Sequence, residues 1–288
     1  MVLPRSELSC SSETSPILPR KVATCQRSVA TQPMPASPAL DSRHDVSMAT
    51  TTNELGQPVG SPVLNWSPRQ RPPARVLRGR WCQLEPLDPL RHSEDLWKAN
   101  GDDKAGRMWT YLPYGPFPEA RSYRAWVEEV AGREDPLFFA IVVDGRAGGV
   151  ASLARIDVSA GSIEVGHVAF SPSLQATTAA TEAMFLLMAE VFDELGYRRY
   201  EWKCDALNAA SRRAASRLGF VYEGTFRQAV VVKGRNRDTA WFSVIDTEWP
   251  RLRAAYQRWL SPDNFDPDGR QRLALSTLTA QHPAPTRN

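Results

Sequence analysis

The chain has 288 residues, 42% of them hydrophobic and 23% charged, a balance that fits a water-soluble globular protein and excludes fibrous and membrane-embedded classes. Thirty-five Lys+Arg against 32 Asp+Glu leave a net charge of only +3, too small a surplus to predict a nucleic-acid partner. No apolar run approaches the roughly 20 residues needed to span a bilayer, so no membrane partner is predicted either.

Residues 1–74 are rich in Ser, Thr and Pro and show neither helical nor alternating periodicity, and 11 of the 23 prolines precede residue 75. Such a segment buries too little apolar surface to offset the entropy of ordering it, which predicts disorder. Met48 opens a stretch, MATTTNELGQPVGSPVLNWSPRQRPP, that reads as an N-terminal arm in its own right. Met48 is therefore an expected start, with residues 1–47 absent from the native product; a genuine flexible tail is the alternative. Intact mass of the native protein separates the two.

The folded part is expected over 75–262. VLRGRWCQLEPL alternates and is rich in strand formers, and DPLRHSEDLWKAN reads as a helix begun near Asp88. A proline-broken aromatic segment, Trp109 to Phe117, leads to a second helix from about Glu119 to Val130. Three strands follow, LFFAIVVDG, AGGVASLARIDV and SIEVGHVAF, joined by short turns at Asp144-Gly145 and Ala160-Gly161 that make them antiparallel neighbours. Residues 176–195 form a long helix, with Ala180, Met184, Leu187, Val191 and Leu195 at steps of three and four and Gly196 as its stop. Then come a strand RRYEWKCDA, a helix capped by Asn208 and ended by Gly219, and two strands, FVYEGTFRQAVVVK and DTAWFSVIDTEW. The predicted class is α/β (α+β), one domain with a mixed, mostly antiparallel sheet of about seven strands flanked by helices. Residues 263–288 read as a C-terminal extension with a short helix that packs on the domain; a homodimer contact is a second use for it.

Cys10, Cys25, Cys82 and Cys204 have no C-x-x-C spacing, and His44, His92, His167 and His282 are equally scattered. That pattern predicts no disulfide framework and no metal, and it places the protein in a reducing cytoplasm. Cys204 reads as a buried structural thiol, since no base is placed beside it in the sequence.

The most informative junction is His167-Val-Ala-Phe-Ser-Pro-Ser-Leu-Gln175-Ala-Thr-Thr-Ala-Ala180, where a strand ends, Pro172 forces a turn and small residues open a helix. Free N–H groups at such a helix start suit a pyrophosphate. In the next strand–helix unit, Asn208 and Ser211 put an amide and a hydroxyl at a second helix head, and two adjacent heads define one cleft. These residues resemble the GNAT superfamily of acyl-CoA-dependent N-acyltransferases over about 76–250. Gln175 to Ala180 are similar to its Q/R-x-x-G-x-G/A pyrophosphate loop. Asn208-x-x-Ser211 with Arg217-Leu-Gly219-Phe220 looks like the N-x-x-S…L-G-F signature of the RimJ/RimL branch that acetylates ribosomal-protein N-termini, as do Tyr222–Arg227 and Gly234–Asp238 with Glu248-Trp249.

The resemblance implies acetyl-CoA as co-substrate, held by Val168, Phe170, Gln175, Thr177, Thr178, Ala179, Ala180, Asn208 and Ser211, with Arg212, Arg213 or Arg217 available to its 3′-phosphate. It implies direct attack by a primary amine, from a protein N-terminus or a small molecule, in a ternary complex. A non-catalytic acyl-CoA-binding module or regulator is the competing reading. Two positions depart from the family pattern: Thr178 replaces a glycine of the loop, and Ala215 stands where many members carry a proton-donating tyrosine. Ser211 is then the hydroxyl left to serve the departing thiolate. Deprotonating an α-amine at pH 7 costs roughly 1 kcal/mol and a lysine about 4.6, so a modest base suffices for the former. Glu164 is the first choice for that base, with a solvated strand carboxylate as the other reading; His167, Asp205 and Asp238 are reserves. By strict two-residue alternation Glu164 shares a face with Gly166 and Val168, and His167 faces the other way. Trp109, Tyr111 and Tyr114 are candidates for an amine-binding lid or, equally, for a cap on the sheet edge.

Overall fold

A computed structural model describes residues 50–280, in two units divided between Val63 and Leu64. The proposed start at Met48 and the segment before it lie outside the described residues. In the first unit Thr50–Thr52 (β1) and Pro58–Gly60 (β2) pair as a small antiparallel hairpin.

In the second unit the elements are Leu77–Arg78 (β3), Gln83–Pro86 (β4), Pro89–Asn100 (α1), Ala120–Val130 (α2), Leu137–Val143 (β5), Arg146–Asp157 (β6), Ser162–Phe170 (β7), Thr178–Ala189 (α3), Arg199–Asp205 (β8), Ala209–Arg217 (α4), Val221–Val232 (β9), Arg235–Ile245 (β10), Trp249–Leu260 (α5) and Leu275–Thr279 (α6). One eight-stranded sheet runs β3-β4-β5-β6-β7-β8-β10-β9. Only the β7–β8 pair is parallel, because α3 carries the chain across between them. Among the described residues no helix is long and apolar enough to cross a membrane.

Both faces of the sheet are covered. On one, α3, α4 and α5 bury Met184, Leu187, Ala215, Leu252 and Tyr256 against Ile163, Val165, Tyr200 and Trp202. On the other, α1 and α2 bury Leu96, Tyr123, Trp126 and Val127 against Phe138 and Ala140. β5 shows the consequence: Leu137, Phe139 and Ile141 serve the first core and Phe138, Ala140 and Val142 the second, so the strand is apolar throughout.

Four expectations are corrected. Residues 76–87 are two strands rather than one, because the turn at 79–81 is gripped from afar: the buried Glu182 carboxylate of α3 accepts the N–H groups of Arg80 (2.8 Å), Trp81 (2.6 Å) and Cys82 (2.9 Å). This raises the sheet from about seven strands to eight. Second, 64–74 is a docked arm and not disordered. Trp66 Nε1 donates to the Ser159 carbonyl at 2.9 Å, Arg69 N donates to Val158 O at 2.9 Å, and Tyr197 Oη donates to Gln70 O at 3.0 Å. Arg75 then clamps the buried Glu190 through Nε and Nη2 at 3.0 and 2.6 Å. Third, the strand read through Trp249 stops at Ile245, and a helix, α5, follows from Trp249, with Pro250 in its first turn and Trp249, Leu252, Tyr256 and Trp259 forming its buried stripe. Fourth, β7 carries a bulge: His167 adopts φ +52°, and the register with β6 slips between Ala169↔Val150 and Gly166↔Ser152. One extra residue reverses the alternation. Val168 therefore packs with Ile163 and Val165 on the α3 face, and Glu164, Gly166 and His167 share the other.

Candidate active site

β7 and β8 pair only from Ser162↔Arg199 to Val165↔Trp202, although β7 continues to Phe170 and β8 to Asp205. The strands part where the bulge begins, and the edge of β7 beyond Val165 faces a gap instead of a neighbour. A cleft of about 920 Å³ opens there, between the starts of α3 and α4.

At the head of α3, Thr177 accepts the Ala180 N–H at 3.1 Å and donates to Leu174 O at 2.7 Å. That cap consumes one first-turn amide and leaves the others without an intrahelical partner, facing out along the axis. Thr178 is the first residue of the helix proper, so the missing glycine imposes no strain at that position. The left-handed residue of the loop is Ala176, at φ +60°, a conformation that costs about 1–2 kcal/mol for a residue with a Cβ. At the head of α4, Asn208 Oδ1 accepts the Ser211 N–H at 3.0 Å, which sets Ser211 one position inside the first turn. Trp202 Nε1 donates to Ser211 Oγ at 2.9 Å from the neighbouring strand. The Ser211 hydroxyl proton is thereby left to donate toward the cleft or the adjacent Cys204 sulfur. Cys204 is a buried thiol pushed above its ordinary pKa by burial, with Ser211 opposing the shift. Ala215 is fully buried in the core and does not face the cleft.

Of the residues the sequence singled out, Val168, Phe170, Gln175, Thr177, Thr178, Ala180, Asn208 and Ser211 line this one cleft, and Tyr111 joins them. Gln175 is partly engaged, its Nε2 donating to Phe170 O at 2.9 Å. Ala179 is buried and borders a neighbouring cavity instead. Tyr111 reaches over the β8–α4 turn and donates to Leu207 O at 3.3 Å. Trp109 and Tyr114 belong to an aromatic cluster with Phe117, Tyr123 and Trp126. The loop thus divides, Tyr111 at the cleft and the two others in packing. Lys233, at the tip of the β9–β10 hairpin, donates to Trp109 O at 2.8 Å. Arg217 enters the cleft, whereas Arg212 and Arg213 lie along an outer groove of α4.

Glu164 is buried on the opposite face of the fork, outside that cleft. Its Oε2 lies 3.1 Å from both Arg155 Nε and Lys203 Nζ, and Lys203 is in turn 2.6 Å from Glu201. Burial raises the Glu164 pKa and the two cations only partly offset it, so the carboxyl sits above the usual range. Tyr114 Oη and His167 Nδ1 are buried without a hydrogen-bond partner. The Tyr114 and His167 rings stack at 5.7 Å at the bulge, and Glu164 stands three residues upstream in the strand. Burial, reinforced by the charges of Arg155 and Arg133, pulls the His167 pKa down to about 4, so its imidazole is neutral at pH 7. Asp205 and Asp238 are turn residues, accepting the N–H groups of Leu207 at 2.8 Å and Gln228 at 2.7 Å.

Sequence reasoning missed Trp202, Lys203 and the 265–271 segment that walls the far end of the cleft. The alternation of Tyr200, Trp202 and Cys204 with Arg199, Glu201 and Lys203 carried a signal for the first two, placing Trp202 on the α4 side and Lys203 opposite. The fit of the cleft to an acyl-CoA thioester rests on its donors: first-turn amides at α3, an unpaired strand edge at β7 and the Ser211 hydroxyl. Among the described residues no group of His, Cys, Asp and Glu is arranged to hold a metal ion.

Comparison with known proteins bears on the family and the fold. The acetyltransferase (GNAT) domain model matches residues 83–221. A crystal structure of a GCN5-related N-acetyltransferase from Brucella melitensis is 46% identical, with a TM-score of 0.74 over 75% of this chain and 99% of that one. A structure from Chromobacterium violaceum, described as a probable acetyltransferase of the GNAT family, is 41% identical, with a TM-score of 0.63 over 67% of this chain and 98% of its own. A Bacillus subtilis protein named "Putative ribosomal N-acetyltransferase YdaF" is 27% identical over 174 residues, 58% of this chain and 90% of that protein.

Proposed function

The chain belongs to the GCN5-related N-acetyltransferase family, and from that premise we propose that it transfers an acetyl group from acetyl-CoA to a primary amine, by direct attack in a ternary complex. The observation that carries this reading is the fork: β7 and β8 part at Val165/Trp202, and the gap is flanked by two helix starts and the Ser211 hydroxyl. First-turn amides of α3 bind the pyrophosphate. The open edge of β7 between Val168 and Phe170 supplies N–H groups that polarise the thioester carbonyl. Ser211, its oxygen fixed by Trp202, hydrogen-bonds the sulfur as the C–S bond breaks and the new C–N bond forms, so that CoA leaves as a stabilised thiolate that takes its proton from solvent. Glu164, approached from the other face, accepts the amine proton through water, and its raised pKa makes it a better base than an ordinary carboxylate.

The likeness to a protein named as a ribosomal N-acetyltransferase and the Asn208/Ser211 motif favour a protein N-terminal amine over a lysine side chain, which would demand a stronger base. The test is thiol release from acetyl-CoA across a panel of N-terminal peptides, lysine peptides and small amines. Release with an α-amine acceptor supports the proposal. Binding of acetyl-CoA with no release from any acceptor indicates a non-catalytic module, and absence of both overturns the reading of the cleft.

A further inference from the structure

The net charge of +3 is concentrated in one place. Residues 227–238, the outer part of the β9–β10 hairpin, carry Arg227, Lys233, Arg235 and Arg237 against the single carboxylate of Asp238, so this stretch holds the whole surplus and the rest of the chain is balanced. Among the described residues none of these four cations lies within ion-pair distance of a carboxylate. Asp238 is engaged within the hairpin: its Oδ1 accepts the Gln228 N–H at 2.7 Å and Asn236 Nδ2 at 3.0 Å. Arg237 Nε is buried without a hydrogen-bond partner. Nearer the fork the pattern is the opposite, with Arg155, Lys203 and Arg199 each paired with a glutamate. Guanidinium groups with unused donors suit carboxylates, which they bind through charge-assisted, bidentate hydrogen bonds.

Strand register gives these cations a spacing. Arg235 faces Val232 and Arg237 faces Val230, so the two arginines share one side of the ribbon, two residues and about 7 Å apart. Carboxylates on alternate residues of an extended polypeptide have the same repeat. Around them the hairpin exposes apolar surface: Phe226 is 56%, Val230 42% and Val231 78% exposed. β9 is also the last strand of the sheet, so its outer edge has no strand partner. The hairpin is fixed at both ends. Its tip is tied to the aromatic loop, where Lys233 Nζ donates to Trp109 O at 2.8 Å, and two residues further along that loop Tyr111 lines the α3/α4 cleft. Its inner end lies along β8, with Thr239 opposite Asp205, the last residue of that strand. Arg237 and Arg235 therefore stand two and four residues beyond the end of β8, about 7 and 13 Å along the strand direction. A chain with its amine at the fork that runs out along the hairpin meets them with about its third and fifth residues. A nucleic acid would also be drawn to four unpaired cations. The continuity of the surface with the place where the amine reacts favours the acceptor polypeptide itself.

We propose that the outer β9–β10 hairpin is a docking surface for the acceptor, and that through Arg235 and Arg237 it selects polypeptides with carboxylates in the first few residues after the reactive amine. The inference rests on the acetyl-transfer reading above and adds to it the class of acceptor.

Thiol release from acetyl-CoA by the full chain tests it, with hexapeptides that differ only at their third and fifth residues, both Glu, both Gln or both Lys. For the wild type at low ionic strength, kcat/KM is expected to be about tenfold higher for the Glu peptide than for the Gln peptide, the scale of two ion pairs, and lowest for the Lys peptide. Raising salt to about 0.5 M shrinks that ratio. Arg235→Glu combined with Arg237→Glu reverses the order, so that the Lys peptide becomes the best of the three; a misfolded variant loses all three peptides together and reverses nothing. Arg235→Glu alone, at an exposed position, brings the Glu/Gln ratio toward one and serves if the double variant does not fold. Equal rates for the three peptides with the wild type overturn the acceptor surface while acetyl transfer stands, and binding of a single-stranded RNA oligonucleotide that is lost in Arg235→Glu then assigns the hairpin to nucleic acid. A Glu preference that survives both variants also overturns it. Release from none of the peptides or small amines overturns the acetyl-transfer reading, and the acceptor surface falls with it.

Discussion

On the α3/α4 face of the fork the chain presents backbone amides, small side chains, the Ser211 and threonine hydroxyls and Arg217. On the opposite face it presents a ladder of charges, Arg155, Glu164, Lys203, Glu201, Arg199 and Glu223, each within ion-pair distance of the next. Trp241 lies under Lys203 at 3.8 Å, and Ser243 closes the series on Glu223 at 2.7 Å. The first face holds its partners with groups that do not titrate and are fixed by helix geometry. The second is made of side chains whose protonation depends on their neighbours. A donor that is the same in every turnover suits the first kind of surface, and an amine whose proton must leave suits the second. If that division is right, changes on the helix face alter turnover at all pH values, and changes on the charged face alter its pH dependence.

The largest expected effect is on the helix face. Ser211→Ala removes the hydroxyl proposed to meet the leaving sulfur and is expected to lower kcat by about 10²–10³, as loss of one preorganised donor does, with little change in KM for acetyl-CoA. Steady-state kinetics at several pH values check it; a loss confined to one end of the pH range breaks the comparison. Next is Glu164→Gln, expected to lower kcat/KM for the amine by about a hundredfold through loss of the base. Because burial holds the Glu164 pKa above the usual carboxylate range, the wild-type rate rises as pH climbs through that raised value, and the variant loses this acidic limb. An unchanged pH profile removes Glu164 from the role.

How far these roles were legible depends on how local their causes are. The caps Asp88, Thr177 and Asn208 sit directly before their helices, and the hairpin turns sit between their strands, so those elements are readable in short windows. The turn at 79–81 is not, because its anchor, Glu182, is about a hundred residues away in the chain. The arm at 64–74 has a disordered composition, yet Trp66 finds the Ser159 carbonyl and Arg75 finds Glu190. The bulge at His167 is the costliest omission: alternation alone put Glu164 and His167 on opposite faces, and one extra residue put them on the same one. The α3/α4 cleft, made of capped helix starts, was largely foreseeable; the charged face depends on that bulge and was not.

His167 gives the bulge a measurable signature. Its pKa is about 4 in the folded chain against roughly 6.5 unfolded, so below pH 6.5 the unfolded chain takes up a proton that the folded one does not. Stability is therefore lost as pH falls, about 2 kcal/mol between pH 7 and pH 5. His167→Phe keeps a ring against Tyr114 and Phe138 and cannot titrate, so denaturant titrations at the two pH values should differ less for the variant by that amount. Equal acid sensitivity in variant and wild type means that the imidazole is already protonated or solvated at neutral pH.

The smallest effect returns to the helix face and asks whether the Ser211 hydroxyl is held or merely present. Trp202→Phe keeps an aromatic ring against Phe220 and removes only the N–H that Ser211 Oγ accepts at 2.9 Å. Without that bond the hydroxyl is free to rotate, and its proton spends less time directed at the cleft. A loss of about 1 kcal/mol, near fivefold in kcat, is expected with KM for acetyl-CoA unchanged, since the indole N–H makes no contribution to binding the donor. A structural defect alone predicts the same loss whether or not Ser211 is present. A positioning role predicts that Trp202→Phe costs nothing further in the Ser211→Ala background, because the group it orients is gone. Equal losses in both backgrounds assign Trp202 to packing, and the helix face then orients its hydroxyl through Asn208 and the first turn of α4 alone.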